Sequence, residues 1–245
     1  MSAKFTSTFD IFKLSIGPSS SHTMGPMLAA REFMTLIERS AVRGQRIVAH
    51  LYGSLALTGR GHQTDRAIVF GLAGLHPSSL EHAQLTRLTA AFETSESVEL
   101  PAVPHIQFLP GRDIHFHKNE WLTEHPNGLK FELLNGDETL ISETYFSIGG
   151  GFVQTKAELC TVVSETTDRA APFPFRNSAE LLGLTNEHAL TIAEIISRNE
   201  LSLRSADDVA DRLEILVSAM RRCVERRLSA TDELLGPLML SRRAA

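Results

Sequence analysis

The apolar pattern of the chain changes period once. Up to about residue 155, alternating runs take turns with helical ones; beyond Pro172 every apolar pattern is helical. Ala30, Phe33 or Met34, and Ile37 recur at helical spacing and predict a helix over residues 27–40, with Pro26 in its first turn and Gly44 after its end. Ile47, Ala49 and Leu51 alternate and predict a strand over residues 46–52. A glycine-rich loop then runs from Gly53 to Gly61 and ends in His62, after which Thr64 or Asp65 can cap a second helix to about Leu75. Leu80, Leu85 and Leu88 suggest a short helix, and Pro101 and Pro104 mark a loop. Residues 106–108 and 114–117 alternate as strands. Asn135-Gly136 lies between two alternating runs, Leu129 to Leu134 and Thr139 to Ile148, which is a strong hairpin signal.

Gly149-Gly150-Gly151 closes this region, and a polar stretch leads to Pro172-Phe173-Pro174-Phe175. Past it, Asn177 or Ser178 caps one helix and Thr191 begins another. Ser205-Ala206-Asp207-Asp208 has the shape of a capping box, with Asp in place of Glu at its third helical position. Leu213, Leu216, Val217, Met220 and Val224 form one apolar stripe. The expected fold class is α+β: a mixed α/β sandwich domain with an antiparallel hairpin over residues 1–155, a linker over 156–176, and a partial all-helical domain over 177–245.

Composition narrows the function classes. A net charge of −5 gives no electrostatic case for nucleic acid or an anionic membrane. No apolar run of about 18 residues offers a membrane span, and no secretory signal is visible, so a cytoplasmic protein is the default. The two cysteines, Cys160 and Cys223, lie far apart and make no CxxC pair, so no metal framework is expected from them. His115 and His117 face one side of a predicted strand, but no third ligand has diagnostic spacing for zinc.

Candidate chemistry concentrates in three places. Gly17-Pro18-Ser19-Ser20-Ser21-His22-Thr23-Met24-Gly25-Pro26 is a polar loop feeding a helix N-terminus, where free N–H groups and the positive dipole end suit a carboxylate or phosphate. Its bland reading is an N-cap with spare serines. His62 sits in a loop between a strand end and a helix start, where α/β layers present functional groups, and a neutral imidazole suits proton abstraction. His125-Pro126-Asn127-Gly128 can line a cleft, though Pro-Asn-Gly is also plain turn chemistry. A serine hydrolase is disfavoured: adjacent Ser and His rarely form a nucleophile–base pair, and no Gly-x-Ser-x-Gly elbow is present.

Seven blocks in order carry a resemblance across almost the whole chain. Phe9-Asp10-Ile11-Phe12-Lys13 with GPSSSHTMGP comes first, then Tyr52-Gly53-Ser54-Leu55-Ala56, then Thr58-Gly59-Arg60-Gly61-His62-Gln63-Thr64-Asp65. His125 to Gly128, Tyr145 to Phe152, Pro172 to Phe175 and Ser241 to Ala244 follow. Together they resemble the N-terminal part of the iron–sulfur L-serine dehydratases. The resemblance implies β-elimination of L-serine to pyruvate and ammonia, with a [4Fe–4S] cluster as Lewis acid and no pyridoxal phosphate. It implies His62 as the base. Ser20, Ser21, His22 and Thr23 read as the carboxylate and amino clamp, since hydroxyls with helix N–H groups orient a small zwitterion, and His125 and Asn127 can line the same cleft. Gln63 stands where relatives are expected to carry a small residue, usually Gly. The cluster cysteines are expected beyond Ala245, in a C-terminal domain or a separate partner chain, so this chain reads as a fragment that binds no cluster and is inactive alone. A homodimer is expected. The competing reading is a non-catalytic, small-molecule-binding regulatory module.

Overall fold

A computed structural model describes residues 5–79, 88–89, 97–160 and 171–229. The chain divides into two units. One takes the described residues of Ser15–Val162; the other takes those of Met1–Leu14 and Val163–Glu233. Residues 5–14 therefore go with the helical unit, whereas the hydrophobic pattern grouped them with the α+β region.

The α+β unit is built on a five-stranded mixed sheet in the order β2-β1-β3-β4-β5. Its strands are β1 (Arg46–Tyr52), β2 (Ile114–His117), β3 (Gly128–Asn135), β4 (Glu138–Gly149) and β5 (Phe152–Thr155). β1 and β2 are parallel; every other neighbouring pair is antiparallel. The β3–β4 hairpin turns at Gly136, whose φ is +60°, with Asn135 paired to Glu138. Period-2 alternation sorts the side chains. Ile47, Ala49 and Leu51 pair with Leu133, Phe131 and Leu129, and all six join the hydrophobic core. His50, Tyr52, Lys130 and Glu132 fall on the opposite face by the same alternation.

The core face packs on α2 (Gly25–Arg39) and α4 (Thr64–Leu72). Met27, Ala30, Phe33, Met34 and Ile37 of α2 are buried at helical spacing, and Phe33 stacks on Phe131 with ring centroids 5.3 Å apart. Burying one such phenylalanine contributes roughly 2–3 kcal/mol. The two helices approach closely at Gly71, where a Cβ would sit 2.2 Å from the Met27 carbonyl oxygen. Two Arg side chains neutralise buried Asp113 at the end of α5 (Pro110–Asp113): Arg46 at 3.0 Å and Arg112 at 2.6 Å.

Several local expectations change. The glycine-rich run after β1 is helical: α3 (Gly53–Thr58) leads straight into a 3₁₀ turn, Gly59–His62. The cap of α4 is Gln63, not Thr64 or Asp65, and the helix ends at Leu72. Residues 106–108 do not form a strand; Gln107 makes an isolated bridge to Arg46. The triple glycine does not end the sheet, since three positive-φ residues turn the chain into β5, followed by α6 (Lys156–Cys160). The suggested helix around Leu80 and Leu85, and the Ser241 to Ala244 block, lie outside the described residues.

In the other unit, the described residues from 178 to 229 form only helices and their connections: α7 (Ser178–His188), α8 (Ile192–Leu201) and α9 (Ala206–Ser229). The starts are as the sequence reads: Asn177 caps α7, Thr191 and Glu194 make a full capping box on α8, and Ser205 accepts from the Asp208 N–H. Buried Asn199 clasps Phe173 of the Pro-Phe-Pro-Phe segment, accepting its N–H at 2.9 Å and donating to its carbonyl at 2.8 Å. Buried Glu200 accepts from the Ser7 hydroxyl, the Thr8 N–H and Arg204, while Arg204 also lies over the Phe9 ring. Helix α1 (Thr8–Ile11) is thereby fixed to α8. The stripe of α9 is exposed along its length, at Leu213, Val217, Met220 and Val224.

Candidate active site

Two loops bring their histidines together. The Ser19 side chain accepts from the His22 N–H and opens a wide π-helical turn, Ser20–Met24, which runs on into α2. His62 ends the 3₁₀ turn ahead of α4, and Arg60 anchors that turn over the Phe116 ring of β2. The imidazoles of His22 and His62 lie with centroids 4.8 Å apart.

A reciprocal pair of hydroxyl bonds locks the loops. Thr23 donates to the His62 carbonyl at 2.8 Å, and Thr64 donates to the His22 carbonyl at 2.5 Å. Both threonines are buried. The Thr23 oxygen also accepts from the Ser19 N–H, so its bonds all go to the protein: the structure places Thr23 as a brace between the loops. Gln63 joins the 3₁₀ turn to α4 at φ +56°, in the left-handed region where a glycine is unstrained and a side chain is not.

The tautomer of His62 follows from its partner. Its Nδ1 lies 3.0 Å from the Thr58 carbonyl oxygen, which can only accept, so Nδ1 carries a hydrogen. In the neutral ring the lone pair is then on Nε2. His22 is held at both nitrogens, Nδ1 by the Ser21 hydroxyl and Nε2 by the Ser54 hydroxyl, each at 2.9 Å. Burial pushes the His22 pKa down, and the nearby His62 pushes it further, so His22 is neutral near pH 7.

Ser20 is exposed at the start of the π-helical turn, and Ser21 is partly buried beside His22. His125 and Asn127 form the tight turn that feeds β3. His125 Nδ1 accepts from the Asn127 N–H, and the Asn127 amide donates to the Ser147 carbonyl of β4. This turn meets the site through its backbone, the Pro126 carbonyl accepting from the Ser54 N–H at 2.9 Å. Sequence reasoning missed Ser54, Thr58 and Thr64 as supports. Each stood inside a matched block, but what marks its role is a partner that only the fold supplies.

Residues 7–158 match the serine dehydratase beta chain family, and the chain belongs to that family. It is 36% identical over 242 residues to L-serine dehydratase 1 of Escherichia coli (strain K12), covering 98% of this chain and 53% of that one. The L-serine dehydratase of Haemophilus influenzae is 34% identical over 243 residues, with 98% and 53% covered. That of Streptomyces coelicolor is 33% identical over 242 residues, again with 98% and 53% covered. The chain thus spans about half the length of the curated relatives it matches.

Among the described residues, no helix is long and apolar enough to cross a membrane. No group of three His, Cys, Asp or Glu side chains among them is arranged to hold a metal ion.

Proposed function

We propose that this chain supplies the substrate anchor and the base of an L-serine dehydratase, which converts L-serine to pyruvate and ammonia. The observation that carries the reading is the His62–Thr58 bond, which leaves Nε2 bare as a proton acceptor. In this reading Nε2 removes the Cα proton of L-serine, and the imidazolium that forms keeps Nδ1–H on the Thr58 carbonyl as a charge-assisted bond. His22 stays neutral beside it, so two like charges do not meet across 4.8 Å. Ser20, Ser21 and His22, at the start of a turn that continues into the fifteen-residue α2, hold the substrate at the positive end of the helix dipole. His125 and Asn127 shape the same cleft through the turn they form.

Departure of the β-hydroxyl needs an acid, and the family resemblance implies a [4Fe–4S] cluster as Lewis acid for it. The residues of this chain do not fit such a cluster. The sequence has two cysteines where clusters take several thiolates, and Cys223 is an exposed free thiol on α9. In this reading the thiolates come from outside residues 1–245, and residues 1–245 alone give no turnover. The exposed stripe of α9 supports a partner surface there.

The test joins this chain to the cluster-bearing half of a relative and follows exchange of the L-serine Cα proton in deuterated water, together with pyruvate release. Both are expected, and both should vanish in His62→Ala. Exchange that persists in His62→Ala overturns the base assignment. Pyruvate from residues 1–245 alone overturns the need for a second half. If L-serine binds to the joined protein with neither exchange nor pyruvate, the regulatory reading replaces the catalytic one.

A further inference from the structure

We propose that Thr23 and Thr64 are positioning residues wired crosswise: Thr23, in the serine loop, sets the base His62, and Thr64, beside the base, sets the substrate anchor His22. The inference deepens the L-serine reading of this site and rests on it for what the two histidines do.

Backbone accounting shows why these two carbonyls take partners from outside their own loops. Pro26 stands four positions after His22 and has no N–H, so the His22 carbonyl lacks the bond that an α-helix would give it. In the other loop, α4 takes Gln63 as its N-cap, and the Ala67 N–H bonds the Gln63 carbonyl at 3.0 Å. The Arg66 N–H, four positions after His62, goes to the Asp65 carboxylate at 3.0 Å. The ladder of α4 begins one residue after the His62 carbonyl. Each carbonyl is answered by the threonine of the opposite loop, Thr64 donating to His22 at 2.5 Å and Thr23 to His62 at 2.8 Å. Both directions are fixed, because a carbonyl oxygen can only accept.

Burial gives the pair its weight. Thr23 is 1% exposed and Thr64 0%, so bulk water does not take over either bond when a hydroxyl is removed. The Ser19 N–H orients the Thr23 oxygen from behind, at 3.2 Å. A Cβ at Gly59 would lie 3.1 Å from the Thr64 hydroxyl oxygen, so the glycine leaves the room that this side chain fills. Two bonds that join the same pair of loops in opposite senses resist separation and sliding alike. The 4.8 Å between the His22 and His62 rings is then held through the backbones of both histidines. Freeing the His62 carbonyl lets the base drift from the Cα proton, which is a loss in the transition state. Freeing the His22 carbonyl loosens the anchor, which is a loss in binding.

Nuclear Overhauser contacts between the His22 and His62 rings, on residues 1–245 at pH 7.5, read the brace without any turnover. They are expected in the unsubstituted protein and should disappear in Thr23→Val and in Thr64→Val. Thr23→Ser and Thr64→Ser keep the hydroxyl and should keep the contacts. Absence of the contacts in the unsubstituted protein, which needs no variant to fold, overturns the proposal, as does their persistence in a folded valine variant. The crosswise assignment is read by L-serine kinetics in the protein joined to a relative's cluster-bearing half. Thr23→Val should lower kcat about tenfold with KM little moved, and Thr64→Val should raise KM about tenfold with kcat little moved. The serine variants should restore both values. A rise in KM with unchanged kcat in Thr23→Val marks a clamp that touches the substrate and overturns its assignment; losses that only follow the folded fraction overturn both. Absence of pyruvate from the unsubstituted joined protein overturns the kinetic half together with the L-serine reading, and the ring contacts still decide the brace.

Discussion

Two groups of histidines occupy the α+β unit, and they are built on opposite plans. His50, His115 and His117 stand on neighbouring strands, on the sheet face away from the core, with His50 and His115 stacked at 5.2 Å. Every nitrogen of His50 and His117 has a partner. His50 Nδ1 meets His117 Nε2 at 2.9 Å, His50 Nε2 meets Glu132 at 3.0 Å, and His117 Nδ1 meets Glu120 at 3.0 Å. Lys130 adds its charge to Glu132 at 3.0 Å, and Tyr52 stacks on His117. The His22–His62 pair sits where two turns meet, and the Thr58 carbonyl and two serine hydroxyls orient it, leaving His62 Nε2 with no hydrogen bond to the described residues. Saturated imidazoles hold a sheet face together. An imidazole fixed at one nitrogen and bare at the other is equipped to move a proton.

The largest effect that would break this contrast is catalytic. In the enzyme completed with a cluster-bearing half, His62→Ala should lower kcat by roughly 10²–10⁴, the range for losing a general base, with KM little changed. His117→Ala should leave kcat within about twofold; a large loss there would erase the distinction. Next comes stability. His50→Ala removes the central member of the strand-borne chain and should cost about 1–2 kcal/mol by urea unfolding, where the His62 substitution costs little because that ring lies on a loop.

A smaller effect appears with pH. Burial lowers the pKa of His50 and of His22, so the unfolded chain takes up protons before the folded one does. Their contribution is complete above about pH 6.5 and is lost as pH falls through the folded values. Unfolding free energy should therefore decline from pH 7 to pH 5, and His50→Ala should make that decline shallower. Glu132 acts further down. Burial raises its pKa, but Lys130 and His50 outweigh burial, so its contribution holds until pH falls below the ordinary glutamate range. The smallest change expected is at Gln63, where φ is +56°. Gln63→Gly relieves left-handed strain at the loop that carries His62 and adds conformational freedom to the unfolded chain. The net gain should be a few tenths of a kcal/mol to about 1 kcal/mol, read as a small rise in Tm.

What the sequence made legible was local. Apolar spacing located α2 and β1, the Asn135-Gly136 pair located the β3–β4 hairpin, and Asn177 and Thr191 located two helix starts, because each signal lies within a few residues of its effect. The matched blocks pointed to the serine loop and to His62. The rest depends on partners distant in the chain. His50 gave no signal because its carboxylate is 82 positions away at Glu132. Thr23 read as a clamp because the carbonyl it braces belongs to His62, 39 positions on. The run from Gly53 to Gly61 read as a loop because its glycines suggest freedom. Only Gly53 uses it, at φ +53°, and helix α3 starts there. β5 was missed because it follows three glycines and is only four residues long.

The bond between Ser7 and Glu200 spans 193 positions. On a ribosome the segment carrying Ser7 emerges early and waits until α8 has been synthesised before Glu200 can receive it. Through that interval Thr8 and Phe9 lack the Glu200 carboxylate and the Arg204 guanidinium that meet them in the folded unit. The order of synthesis and the order of closure therefore run opposite ways: the segment made before the sheet is secured only after it. Without Ser7 and Thr8, Arg204 is the one remaining partner of Glu200 among those described.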